Sequence, residues 1–267
     1  MAISIVIPTH NRPKGVVRAV VSAKAALPKG GEIIVVDDRS RTPANEALSG
    51  HMGTETTVVD NPGPRGPAAA RNAGAAHARH PILLFLDDDD QLLPGYGRQI
   101  VDVANSHPDV IYGSSSYIQK RTGHEDRQLP LPKHIAGIGK LDSTVPLRKK
   151  FVRATGLWVK RDVLLNLGGF DESMRFGEDG ELCIRLAATG TMWFDSEPGL
   201  VVDDTDAKES EHLSRDYIPK AAVWYRQMLD KHGDLLKERD SKYRRTCHRR
   251  MWKFRIKTLL GLGRDRP

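Results

Sequence analysis

The chain has 267 residues, of which 39% are hydrophobic and 28% are charged, and its formal net charge is +7. These values are those of a globular protein with a real core, and the short apolar runs exclude collagen-like, disordered and multi-span membrane classes. Two cysteines, Cys183 and Cys247, are too few for a disulfide framework or a cysteine-rich zinc site. The N-terminus has no signal-peptide pattern, so we expect a cytoplasmic protein.

The positive charge is concentrated near the C-terminus. Residues 237–267 contain twelve lysines and arginines against three acidic residues, which gives this segment a net charge of +9. Residues 1–236 therefore carry a net charge of −2. A nucleic-acid-binding function would depend on the tail alone, and we expect no nucleic-acid partner.

The first two thirds of the chain alternate β-rich and helical segments, which predicts an α/β domain with a mainly parallel sheet. In the best of the predicted strands the apolar residues run almost without interruption, as in strands that are covered on both faces. The predicted strands are Ser4–Pro8, Glu32–Asp37, Thr56–Val59, Ile82–Leu86 and Val110–Tyr117. The predicted helices between them are Lys14–Ala26, Pro67–Ala78 and Pro94–Ser106.

The rest of the chain is less regular. Gln119–Arg148 is polar and contains several prolines and glycines, which indicates a long loop. A strand at Gly156–Lys160 and a helix at Asp179–Ala188 follow, and the chain is predicted to be helical from Asp216 to near Gly261. We therefore expect a domain over residues 1–214 and a basic helical extension over residues 215–267.

Polar side chains follow the first two predicted strands. In open α/β sheets, ligands bind at the carboxyl ends of the strands, which makes these residues candidates for a binding site. After the second strand, a carboxylate can accept hydrogen bonds from a ribose or a nucleobase, or it can cap the next helix. The candidates are Pro8, Thr9, Asn11 and Arg12 after the first strand and Asp37 and Asp38 after the second.

Four consecutive aspartates, Asp87 to Asp90, follow the apolar strand Ile82–Leu86. Such a run is electrostatically unfavourable unless a cation neutralises it, and carboxylate oxygens favour Mg²⁺ or Mn²⁺. Because side chains alternate along a strand, Asp87 and Asp89 are predicted to act together while Asp88 points away. The alternative is a solvated acidic turn.

Two further candidate sites lie on predicted helices. Arg71 stands in an otherwise small-residue segment, Gly66–Gly74, where it can stack on a nucleobase or pair with a phosphate, or simply lie at the surface. Glu178 and Asp179 begin an amphipathic helix, whose dipole favours their ionised form. An ionised carboxylate at the edge of a pocket suits a general base, although the same residues would serve as ordinary helix caps.

Taken in order along the chain, these motifs resemble those of the family 2 glycosyltransferases, whose GT-A fold is a Rossmann-like α/β architecture with a mainly parallel sheet flanked by helices. The resemblance runs from Ile3 to about Phe194. The motifs that carry it are Val-Ile-Pro-Thr-x-Asn-Arg, Val-Val-Asp-Asp-x-Ser, Ala-Arg-Asn-x-Gly, Phe-Leu-Asp-Asp-Asp-Asp, Gly-Gly-Phe-Asp-Glu and Glu-Asp-x-Glu-Leu.

The resemblance implies an enzyme that transfers a sugar from a nucleotide diphosphate sugar, with a UDP-sugar as the expected donor, to a hydroxyl acceptor with inversion at the anomeric carbon. It assigns the nucleotide to Pro8, Thr9, Asn11, Arg12, Asp37, Asp38 and Arg71. Of these, Asp38 or its neighbour Asp37 would hold the uracil or the ribose, and Arg71 would contact the base.

The resemblance also implies a metal site. Asp87 and Asp89 match the family's Asp-x-Asp motif, with Asp87 near the ribose and sugar, Asp88 beside the nucleotide, and Asp89 on a Mn²⁺ or Mg²⁺ ion. A late histidine often completes this site in the family, and His212 is the matching residue.

The catalytic base that the resemblance implies is Asp179, with Glu178 beside it. Sugar transfer of this kind requires two separate groups of carboxylates, one for the metal ion and one for the base. A divalent ion stabilises the charge that develops on the diphosphate, and a base on the opposite side of the oxocarbenium-like carbon removes the proton of the acceptor hydroxyl.

Two other functions stay open at this point. A nucleotidyltransferase that makes nucleotide sugars would have a glycine-rich basic loop after the first strand, and Thr9–Arg12 has no glycine. A non-enzymatic nucleic-acid- or membrane-binding module would rest on the basic tail. In residues 244–260, basic and apolar side chains interleave, which predicts a helix that either docks on the core or lies on the anionic inner face of a membrane.

Overall fold

Ten strands join into one sheet in the computed structural model, which describes residues 1–129, 135–174, 176–205 and 217–260. The strands are β1 (Ile3–Thr9), β2 (Glu32–Asp37), β3 (Thr56–Asp60), β4 (Ile82–Phe85), β5 (Gln91–Leu92), β6 (Val110–Lys120), β7 (Arg127–Leu129), β8 (Gly139–Leu141), β9 (Trp158–Lys160) and β10 (Thr191–Asp203). Their order is β3-β2-β1-β4-β9-β6-β10-β5, with β7 paired to β6 and β8 to β10.

Eight α-helices accompany the sheet within the same described residues. They are α1 (Pro13–Ala26), α2 (Ala44–Ala47), α3 (Pro67–His77), α4 (Tyr96–Ser106), α5 (Arg161–Asn166), α6 (Glu178–Thr189), α7 (Tyr217–Arg239) and α8 (Ser241–Leu259).

The N-terminal half of the sheet is parallel and covered on both faces. β1 pairs in parallel with β2 and β4, and β2 pairs in parallel with β3. Ile5 and Ile7 join the core cluster that contains the apolar face of α1, whereas Val6 joins the cluster on the α3 side. Burial on both faces therefore explains why residues 5–8 of β1 are all apolar.

Helix α3 approaches the sheet closely because its inward face is built of alanine and glycine. A Cβ atom on Gly74 would lie only 2.3 Å from Val6 Cγ1, far inside any normal contact. Glycine is therefore needed where the helix crosses β1. The close approach brings Arg71, one turn earlier on the same helix, to the end of β4.

The mainly parallel α/β sheet predicted from the sequence is confirmed. The predicted strands and helices of residues 1–189 agree with the structure to within two residues at each end, except that β6 continues to Lys120. The prediction of a loop throughout Gln119–Arg148 is wrong, because β7, β8 and part of a 3-10 turn at Leu147–Lys149 lie there. These short strands pair with β6 and β10, so tertiary partners rather than local pattern stabilise them.

The C-terminal basic segment forms two helices rather than one. Asp240 separates α7 from α8, and its side chain accepts a hydrogen bond from Tyr243 N and pairs with Arg148. Along α8, Cys247 and Met251 are buried against α7. Across the described residues, no helix combines the length and the apolar character needed to cross a bilayer.

Candidate active site

The carboxyl ends of β1, β2 and β4 meet at one edge of the sheet because the three strands are parallel neighbours. Three hydrogen bonds join the end of β1 and the turn after it to the acidic run after β4. Thr9 Oγ1 donates to Asp88 Oδ2 at 2.7 Å, and Arg12 Nη1 donates to Asp88 Oδ1 at 2.9 Å. Arg12 also reaches Asp89 Oδ2 at 2.6 Å. The polar residues that follow different strands therefore form one connected site.

Three of the four aspartates form a compact acidic cluster. One carboxylate oxygen each from Asp87, Asp89 and Asp90 lie within 4.8 Å of one another. Burial, together with the charges of Asp87 and Asp89, raises the pKa of Asp90 to about 8. Three hard oxygen donors that repel one another are a suitable ligand set for Mg²⁺ or Mn²⁺, so the residues present fit the implied ion.

Asp90 is a site residue that the sequence reasoning missed. The alternation argument assumed an extended strand through the acidic run, but β4 ends at Phe85. The chain then turns, and Asp90 N donates to Asp87 O at 3.1 Å, which folds Asp90 back beside Asp87. The sequence did contain one indication that Asp90 belongs to the cluster, namely that it is the fourth aspartate in a row.

Asp88 takes a different position from its three neighbours. It is buried, and its two carboxylate oxygens face Thr9 and Arg12. Burial raises the pKa of Asp88 to about 6, although the Arg12 charge acts in the opposite direction. Asp88 therefore connects the turn after β1 to the acidic run through Thr9 and Arg12.

Arg71 connects the acidic cluster to helix α6. Its guanidinium, in a residue only 4% exposed, donates from Nη2 to Asp87 Oδ1 at 2.6 Å and from Nη1 to Glu178 Oε1 at 2.9 Å. Burial alone would lower the pKa of Arg71, but the Asp87 and Glu178 carboxylates outweigh it and keep that pKa above its ordinary value. In the structure, Arg71 therefore contacts two carboxylates. The family resemblance implies instead that it contacts the nucleobase.

Asp179 lies at the start of α6, next to Glu178. Its Oδ1 accepts a hydrogen bond from Gly180 N at 2.7 Å. Burial and then the neighbouring Glu178 charge raise the pKa of Asp179 to about 6. Burial therefore acts against the helix dipole, which favours the ionised form of this carboxyl. A carboxylate with a pKa near 6 is still ionised at neutral pH and is well matched to proton abstraction.

The two aspartates after β2 have different partners. Asp37 accepts hydrogen bonds from Ser40 N and Ala44 N, both at 2.8 Å, which is a capping arrangement at the start of α2. Asp38 accepts from Asn61 Nδ2 at 2.6 Å and from Gly66 N at 2.8 Å. Asp38 therefore connects the ends of β2 and β3 to the start of α3.

The remaining predicted residues are Pro8, Asn11 and His212. Pro8 is buried within β1. Asn11 has a positive φ of 54°, donates from its backbone N to Ser40 Oγ and accepts at Oδ1 from Arg41 N, which links the first two turns. His212 lies outside the described residues.

Comparison with known proteins identifies the family. Residues 4–167 match the family model described as glycosyl transferase family 2. The chain belongs to this family. Its α/β sheet flanked by helices is the GT-A fold.

Two relatives illustrate the similarity. A pre-mycofactocin glycosyltransferase from Mycobacterium tuberculosis is 28% identical over 80% of this chain, and the succinoglycan biosynthesis protein ExoU from Rhizobium meliloti is 32% identical over 72% of it. The alignments cover 45% and 58% of those two relatives, so the chain spans about half of their length.

A solved structure shows the same fold. The chain resembles Staphylococcus aureus TarS, residues 1–349, in complex with UDP-GlcNAc, with a TM-score of 0.66 and 18% identity over 86% of this chain and 67% of that one.

Proposed function

We propose that this glycosyltransferase transfers a sugar from a UDP-sugar to a hydroxyl acceptor, in a divalent-metal-dependent reaction that inverts the anomeric carbon. One observation carries the proposal. Two groups of carboxylates from distant parts of the chain, the cluster after β4 and the pair at the start of α6, lie on either side of Arg71. The likeness to a structure that contains UDP-GlcNAc supports a UDP-sugar as donor.

The acidic cluster is the proposed metal site. Asp87, Asp89 and Asp90 would hold a Mn²⁺ or Mg²⁺ ion, and His212 is proposed as a further ligand from the family resemblance. When bound, the ion supplies stabilisation of the negative charge that develops on the diphosphate. Arg12 lies against Asp89 and adds positive charge on the same side of the site.

The nucleotide is proposed to lie along the carboxyl ends of β1 and β2. The turn of Thr9, Asn11 and Arg12 and the Asp38 side chain border this edge. Asp38 is already fixed by Asn61 and Gly66 N, so its carboxylate can accept a further hydrogen bond from a ribose or uracil without losing its position.

Asp179 is the proposed general base. It removes the proton of the acceptor hydroxyl as that oxygen bonds to the anomeric carbon, while the bond from this carbon to the diphosphate breaks on the opposite face. Glu178 is the weaker candidate for this role because its carboxylate is paired with Arg71. The positive charge of Arg71 acts to lower the pKa of Asp179, against the charges of Glu178 and Asp87, which act to raise it.

Calorimetry with UDP tests the metal and nucleotide assignments together. UDP affinity is expected to rise when Mn²⁺ is added to EDTA-treated protein, and the rise is expected to be lost in Asp89→Ala. Asp102→Ala is the matched control, because Asp102 is an exposed aspartate on α4 outside the site. Equal UDP affinity in EDTA and in Mn²⁺ would refute the metal dependence. A transfer screen over nucleotide sugars then identifies the donor, and failure of every UDP-sugar would refute that assignment.

We also propose that α8 lies on an anionic membrane surface. Trp252, Ile256, Leu259 and Leu260 are 55%, 52%, 85% and 68% exposed, and their spacing places them on one face of the helix. Exposed basic residues flank this stripe, namely Arg245, Arg249, Lys253 and Arg255. An apolar stripe bordered by positive charge is complementary to anionic lipid.

Vesicle flotation tests this surface. The protein is expected to float with phosphatidylserine-containing vesicles at low salt, less so at high salt, and not with phosphatidylcholine alone. Ile256→Glu is expected to abolish flotation, whereas Val223→Glu, which changes an exposed apolar residue of α7, is expected to leave it intact. Wild-type protein that stays out of the lipid fraction at low salt would refute the proposal.

A further inference from the structure

The C-terminal extension packs directly on the helix that carries the proposed base. Trp224, Met228 and His232 follow one another at four-residue spacing on α7, so they form one stripe along that helix. Trp224 Nε1 donates to Gly177 O at 2.9 Å, and His232 Nε2 lies 2.8 Å from Glu181 Oε1. Met228 is buried with Ile184 of α6. The stripe thus contacts α6 from its first turn onward.

Trp224 occupies space that only glycine leaves open. A Cβ atom on Gly177 would lie 2.2 Å from Trp224 Nε1, and one on Gly180 would lie 2.9 Å from Trp224 Cζ2. Gly177 also has a φ of +74°, a conformation that other residues rarely adopt. The indole therefore lies against the backbone on both sides of Glu178 and Asp179.

The indole also completes the hydrogen bonding of the Gly177 carbonyl. This oxygen accepts the first hydrogen bond of α6, from Glu181 N at 3.1 Å, and Trp224 supplies its second donor. Two donors on one carbonyl fix the plane of the peptide that links Gly177 to Glu178. The direction of that peptide sets where the next two side chains point.

From this geometry we infer that Trp224 is a positioning residue, which holds the first turn of α6 so that Asp179 stays oriented toward the acceptor side of the site. The inference rests on the proposed role of Asp179. It makes α7 part of the catalytic apparatus, although Trp224 itself need not touch the substrate. Trp224 then contributes to turnover in two ways: its indole N–H donates to Gly177 O, and its ring packs on Gly177 and Gly180.

The test compares two tryptophan-to-phenylalanine variants. Trp224→Phe keeps an aromatic ring but removes the N–H that reaches Gly177 O. Trp193→Phe is the matched control, because its indole N–H has no hydrogen-bond partner among the described residues. In Trp224→Phe, the Glu181 amide is expected to exchange its hydrogen about fivefold faster by NMR, as for the loss of one ordinary hydrogen bond. The control is expected to leave that rate unchanged.

Kinetics provide the second measurement. In Trp224→Phe, kcat is expected to fall by about tenfold to a hundredfold through misorientation, with unchanged metal-dependent UDP affinity. Normal kcat, or an unchanged Glu181 exchange rate, would refute the inference. Loss of UDP affinity together with fast exchange throughout α7 would also overturn it, because the role would then be structural only.

The exchange measurement separates this inference from the proposed function. It reports on the turn at Gly177 without any substrate, so it decides whether Trp224 holds that turn even if no UDP-sugar is a donor. If instead Asp179→Asn retains normal transfer, the base assignment fails, and the inferred positioning of Asp179 fails with it.

Discussion

Replacing Asp179 by asparagine separates the proposed base from the rest of the site. The amide keeps the shape of the side chain and still accepts the hydrogen bond from Gly180 N, but it cannot take a proton. Transfer to the acceptor is expected to fall by roughly 10²–10⁴-fold, the usual contribution of general base catalysis. Metal-dependent UDP binding is expected to be unchanged, because Asp87, Asp89 and Asp90 are untouched.

The same substitution has a calculable effect on stability. In the folded protein, burial raises the pKa of Asp179 from 3.8 to about 6. The folded state therefore binds more protons than the unfolded state between these values, so this group lowers the free energy of unfolding as the pH rises through the window from about 4 to about 6. At roughly 1.4 kcal/mol per pKa unit, the loss reaches about 3 kcal/mol above pH 6. Asparagine does not ionise, so the variant lacks this loss.

Urea unfolding at two pH values measures the effect. At pH 7.5 the Asp179→Asn variant is expected to be more stable than wild type by up to about 3 kcal/mol, and at pH 4.5 the difference is expected to be much smaller. Glu178→Gln is the control, and it is expected to destabilise the fold because Arg71 loses a charged partner. Near-normal turnover in Asp179→Asn, loss of UDP binding, or equal stability gains at both pH values would refute the reasoning.

Three further predictions concern the same site. The wild-type transfer rate is expected to decrease about tenfold per pH unit below about pH 6, as Asp179 becomes protonated, and a pH profile at saturating donor measures this. Arg71→Leu leaves Asp87 and Glu178 without their buried partner and is expected to lower the free energy of unfolding by about 3 kcal/mol in urea titration; an unchanged midpoint would contradict this. Asp38→Ala is expected to weaken UDP binding by about tenfold in calorimetry while the circular dichroism spectrum stays native, and unchanged affinity would remove Asp38 from the site.

The strands that build the site were predictable because their residues are buried on both faces. The central residues of β1, β2 and β4 form unbroken apolar runs, and polar residues follow each run, so the position of the acidic run followed from local pattern. Strand β10 was not predictable in this way. Its pairing with β6 shifts register near Asp195 and Pro198, where polar residues and a proline interrupt any strand pattern.

Other features of the site depend on contacts between distant residues. Arg71 stands among alanines, and nothing near it in the chain indicates that its partners are Asp87 and Glu178, which lie 16 and 107 residues away. The Trp224 contact with Gly177 spans 47 residues. In the sequence, the contact is indicated only by the glycines on either side of Glu178 and Asp179. The same glycines are equally consistent with an ordinary helix start.

The close crossing of α3 over β1 at Gly74 links the packing of the core to the position of Arg71 in the site. Arg71 and Gly74 lie on one rigid helix, so any side chain that lifts α3 from Val6 also moves the guanidinium that spans the two carboxylate groups. The spacing between α3 and β1 thus sets the position of Arg71 between the two carboxylate groups. A change of one methyl group in the core at this crossing would therefore alter the separation between the acidic cluster and the carboxylates at the start of α6.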